Sequence, residues 1–148
     1  MISSLLSSES GSTTAGEGVS GTLSNANLLA MYAAPVQILA ALGAGQSYCV
    51  HRFFLQQEYG AATFTGGGPI VIQFGNTANG AGPKATDDFA VGVLTTGNQR
   101  GQMQNGQIAE NAVANYENQG IFISNTTGAF ATGDGTALYQ IWYSIMNV

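Results

Sequence analysis

Cys49 and His51 stand two residues apart in QSYCVHRFFLQQEYG, a spacing that puts both side chains on one face of an extended strand. A thiol beside an imidazole is the raw material of a cysteine nucleophile with its base, or half of a metal site. The rest of the set is missing. The chain holds one cysteine and one histidine, whereas a catalytic zinc takes three protein ligands and a structural one four. No local spacing supplies an acid to orient the ring. The expectation is a small core thiol at Cys49 and a partly buried imidazole at His51, bonded to a neighbour or to Glu58.

The carboxylates fare no better. Asp87 and Asp88 are the adjacent pair, in GPKATDDF. Paired-acid hydrolysis needs two carboxyl groups converging across a cleft, and consecutive residues of an extended segment point apart. A solvated loop is expected there. Asp134 lies between two glycines in ATGDGT, the composition of a tight turn in which a neighbour takes positive φ and the Asp bonds local backbone N–H groups. A calcium loop would need several oxygen ligands at fixed spacing, and no other acid lies within ten residues of Asp134. TGGGPIV lacks the glycine spacing, the following helix and the Lys of a phosphate-binding loop. Trp142, Tyr139 and Tyr143 have the ring surface for stacking a sugar, yet strand spacing favours core or interface. The sequence therefore predicts no catalytic residue, no metal site and no cofactor.

The elements that would hold these residues are mostly strands. PVQILA, YCVHRFFLQQEYG, IVIQFGN, DFAVGVLT, GIFISN and TALYQIWYSIMNV are rich in β-branched and aromatic residues and are separated by Gly-rich turns. Helical spacing is confined to residues 24–32, with Ser24 as N-cap and Pro35 as stop, and to residues 107–117, where Ile108, Ala112, Val113 and Tyr116 share a face and a bulged strand is the alternative. In the last run Tyr139, Ile141, Tyr143 and Ile145 oppose Leu138, Trp142 and Met146. In the second, Cys49, Phe53 and Leu55 oppose Tyr48, Val50 and Phe54. Both faces are apolar, as in strands central to a sandwich or facing another subunit. The expected fold is all-β, an antiparallel two-sheet sandwich of jelly-roll or Greek-key type over residues 19–148. Residues 1–18, MISSLLSSESGSTTAGEG, are too polar to order themselves and form an extended N-terminal arm. Ile2, Leu5 and Leu6 are its apolar handles. With Trp142 and Met146 they are the candidate partner-interface residues.

Charge narrows the partners. Charged residues are 7% of the chain, against roughly 25% in ordinary domains, so the surface is expected to be covered by other subunits. The net charge of −5, with Arg52, Lys84 and Arg100 as the basic residues, leaves too few cations to neutralise a row of phosphates, and nucleic acid is excluded as a partner. The start MISSLLSSES lacks the basic n-region of a secretory signal. No apolar run approaches the ~18 residues that span a bilayer, and synthesis in the cytoplasm with no membrane partner is expected.

The order of motifs APVQILAALGAG, VHRFFLQQEYG, GGGPIVIQFGNTANGAG and FATGDGTALYQIWYSI resembles that of small virion proteins of tailed bacteriophages, among them head decoration (cement) proteins. The resemblance covers about residues 33–148; the Ser-rich arm and QSYCV depart from it. It implies a β-sandwich, often jelly-roll-like, that forms homotrimers on the outer face of the capsid and ties neighbouring capsomers of the major capsid protein together. The alternative is a receptor- or carbohydrate-binding module of a tail or head fibre. A small enzyme ranks last.

Overall fold

The computed structural model describes residues 17–107 and 112–148. Its elements are β1 (Glu17–Leu23), α1 (Asn25–Ala30), β2 (Val36–Leu39), β3 (Gln46–Glu58), β4 (Phe64–Gly66), β5 (Ile70–Phe74), α2 (Gly92–Thr95), β6 (Gly101–Asn105), β7 (Ile121–Asn125), β8 (Phe130–Thr132) and β9 (Thr136–Asn147). The large sheet has the order β1-β9-β3-β6, the small one β2-β7-β5, and β4 pairs with β8. All the pairings are antiparallel. Apart from β4 and β8, successive strands alternate between the two sheets, so each connection crosses the core. The fold is an all-β sandwich.

The core lies between the sheets. Phe53, Leu55 and Ile141 of the large sheet are wholly buried, as are Ile70, Ile72, Ile121 and Ile123 of the small one. The Phe53 ring meets Phe89 edge-on and stacks on Tyr139, with centroids 5.9 Å apart in each case. Every residue of β5 is buried, because the segment after it folds back over the far face of the small sheet. That cover helps to satisfy Gln73 and Ser124. Gln73 Nε2 donates to the carbonyls of Gly75 and Thr77, and its Oε1 accepts from Gly82 N. Ser124 Oγ donates to the Met31 carbonyl and accepts from Gly80 N. Burying these groups unpaired would cost about 1–3 kcal/mol each.

α1 starts where the Ser24 cap places it: Asn27 N donates to Ser24 Oγ, and Ser24 N donates back to Asn27 Oδ1. Leu28 and Met31 then enter the core. Three expectations need correction. DFAVGVLT is not a strand: Phe89 makes a single bridge to Ile70, and the chain turns into α2. In 107–117 a one-turn 3₁₀ helix at Val113–Asn115 is seen, while residues 108–111 lie outside the described residues. Glu17 and Gly18, assigned to the arm, belong to β1 and pair with Tyr143 and Trp142.

A fourth correction concerns which way side chains face. β3 carries an irregularity against β9 between Val50 and Arg52, leaving His51 as the extra residue. An extra residue reverses the alternation of a strand. Tyr48 and Val50 before it therefore share the core face with Phe53 and Leu55 after it, while Cys49 and Phe54 turn outward. Much of the two-sided apolar character of this segment is one core face read across a bulge. Gly106 fits against the bulge, where its N–H donates to the His51 carbonyl; a Cβ there would overlap the Val50 carbonyl.

Candidate interaction surface

The residues with chemical potential are placed apart or tied into structure. Cys49 is half-buried on the outer face of the large sheet, opposite Ser144. This corrects its expected place in the core. His51 is exposed, and its Nε2 lies 3.1 Å from Ser144 Oγ. The expected neighbour is thus Ser144 and not Glu58, which accepts instead from Gln56 Nε2 at 2.8 Å. No group of three or more His, Cys, Asp or Glu that could hold a metal occurs among the described residues.

Asp87 is exposed, as expected of a solvated loop, and Asp88 pairs with Lys84 at 2.7 Å. The Asp134 turn behaves as expected in its backbone, with Gly133 at φ 75°, but its carboxylate bonds chiefly outside the turn. It accepts from the N–H groups of Ala61 and Ala62 at 2.9 Å, more than 70 residues away in sequence. Those two backbone donors, Ala62 first, hold the carboxyl below its ordinary pKa against a smaller opposing effect of desolvation. Asp134 is a clip between two loops. At the β1 end Tyr143 Oη donates to Glu17 at 3.1 Å, and the Tyr48 and Tyr143 rings meet edge-on at 5.1 Å. Burial raises both phenols, followed by the Glu17 charge at Tyr48 and by the Glu17 hydrogen bond at Tyr143.

What the described residues leave open is the outer face of the large sheet. Strand pairing lines its side chains up in three rows from β1 through β9 and β3 to β6. The first row is Ser20, Gln140, Phe54, Met103. The second is Gly18, Trp142, Arg52, Asn105, and the third is Thr22, Leu138, Gln56, Gly101. Met103 is 47% exposed and Leu138 40%, large fractions for side chains that burial would stabilise by about 1.5–3 kcal/mol each. Trp142 is half-buried, its indole edge packed beside the Gly18 backbone. A shallow depression of about 300 Å³ opens above β1, lined by Ser20, Gly21, Thr22, Phe54, Leu138 and Gln140 among others. Arg52 is the one charged side chain in the three rows.

Of the candidate interface residues, Trp142 and Met146 both lie on this face, partly exposed. Ile2, Leu5 and Leu6 lie outside the described residues. Phe54, Met103 and Arg52 were missed by sequence reasoning. The signal for Phe54 was present: a polar pair, His51-Arg52, interrupts an otherwise apolar strand and marks a bulge. GQMQN gave no such sign, since Gly, Gln and Asn carry little strand propensity. Comparison with known proteins finds no matching protein family, no matching curated protein and no matching solved structure.

Proposed function

We propose that the protein is a structural subunit of a virion, a capsid decoration (cement) protein on the outer face of a bacteriophage head. It works by contact and not by chemistry. The observation that carries this reading is the outer face of the large sheet: broad, nearly uncharged and bearing Trp142, Phe54, Leu138 and Met103 on a chain of net charge −5. Apolar faces of this kind mark protein contacts. Low overall charge supports the same reading, as does the scatter of Cys49, Asp88 and Asp134 into unrelated places. The partners proposed are the major capsid protein and further copies of this chain.

Quantitative mass spectrometry of purified particles of a phage encoding this chain is the test. The expected result is a copy number comparable to that of the coat subunits. Absence from the particle overturns the reading, and a few copies per particle replaces it with a fibre module.

A further inference from the structure

We propose that the outer face of the large sheet is a self-complementary interface, occupied by the same face of a second copy related by a twofold axis parallel to the strands. The proposal rests on the preceding reading only in taking this face as a protein contact; it concerns the free protein in solution and departs from the homotrimer that the resemblance implies.

Charge leaves this face as the one on which a second copy is tolerated. Two molecules of net charge −5 repel, and the surfaces they can bring together are those without acidic groups. The three rows contain no acid; Glu58 lies in the next row of the same face, opposite Thr136, where it accepts from Gln56 Nε2 at 2.8 Å.

Shape agrees. A twofold axis running between β9 and β3 sets β1 of one copy over β6 of the other, and β9 over β3. In the first row Met103, a projecting side chain, then meets the depression at Ser20, and Phe54 meets Gln140. Bulk faces space on both sides of the axis. In the second row Trp142 meets Arg52, so the lone cation of the face comes over an indole ring, twice in each pair. An isologous contact demands this reciprocity, and the large side chains lie off-centre in the manner that supplies it.

Area is sufficient. Strands of 7, 12, 13 and 5 residues, at about 3.3 Å per residue and about 4.8 Å between strands, cover about 600 Å² per copy for the whole sheet, the Glu58 end of β3 included. Two such faces reach the lower bound of about 1,200 Å² for a specific interface.

Sedimentation equilibrium of the intact chain should show a dimer at micromolar concentration, and Met103→Asp should weaken it by about tenfold or more. Met103 is exposed, so its thermal midpoint should stay within a few degrees of the parent. Phe54→Asp provides a second variant on the neighbouring strand. Cross-linking Cys49 with a short bismaleimide should yield a dimer, because Cys49 and its symmetry mate lie close to the axis. A monomer at about 100 micromolar, which puts any self-association weaker than about −5.5 kcal/mol, an odd-numbered oligomer, or a dimer indifferent to both Asp substitutions overturns the proposal. Each of these results leaves the particle copy number, and so the decoration reading, to its own measurement.

Discussion

At the scale of single residues, Asp134 shows how an exposed carboxylate between glycines works without being a site. Its two oxygens accept from consecutive backbone N–H groups at Ala61 and Ala62, and these bonds favour the charged form. A carboxyl whose folded pKa is lowered contributes stability that is present above its unfolded value of about 3.9 and is lost as pH falls through the folded value. Asp134→Asn keeps the shape and removes the charge. The variant should be less stable than the parent near neutral pH, and the gap should close below about pH 4. Urea midpoints measured across that range check it; parallel curves would show that the clip contributes nothing. Cys49→Ser belongs to the same scale. With its side chain half-buried and opposite Ser144, the added hydroxyl has water and Ser144 within reach, and the change should cost less than about 1 kcal/mol. A buried core thiol would have made it about 1–3 kcal/mol.

At the scale of elements the bulge in β3 is the decisive feature. It decides which apolar residues make the core and which make the outer face. Gly106→Ala should therefore be far more damaging than its size suggests, because the methyl group would displace the Val50–His51 backbone from β6. A loss of about 2–4 kcal/mol is expected. Ile141→Ala, a deletion in the middle of β9, should cost a similar amount, about 2–5 kcal/mol. Chemical denaturation measures both, and a Gly106→Ala protein as stable as the parent would mean that the bulge can relax. The long strands were legible in the sequence because β-branched and aromatic runs between glycines have few other uses, and β2, β3, β5, β7 and β9 all fall where those runs lie. DFAVGVLT has the same composition and fails, since after the one bridge at Phe89 its apolar residues are buried as well by a turn of helix. β1 and β6 were illegible for the opposite reason. EGVSGTL and GQMQN pair because β9 and β3 are long enough to offer them a partner, a tertiary cause that local composition does not encode. The candidate surface was half legible: Trp142 and Met146 follow from simple alternation along β9, whereas Phe54 and Met103 depend on the bulge and on β6.

At the scale of the whole molecule the described residues form one hydrophobic core. Its largest wholly buried members come from β1, β3, β4, β5, β7, the α1 segment and the Phe89–Leu94 segment, and β1 is fastened along its length to β9 from Glu17 onward, with Tyr143 Oη donating to Glu17. Residues 1–16 precede that first pairing. Their Ser, Gly and Thr content gives them little apolar surface to offset about 1–2 kcal/mol of backbone entropy per ordered residue. If the protein decorates a capsid, the apolar handles Ile2, Leu5 and Leu6 have a use as anchors on an adjacent subunit. Deleting residues 1–16 should then leave the melting temperature of the free protein within a few degrees of the parent and weaken its retention on particles under a salt or heat challenge. The deletion must stop before Glu17, since removing Glu17 and Gly18 shortens β1 and takes away both the Tyr143 bond and the backbone beside Trp142. Leu5→Ser with Leu6→Ser should reproduce much of the loss in retention. Equal retention of full-length and truncated protein would assign attachment to the sandwich alone. A large drop in melting temperature would instead make the first residues part of the fold.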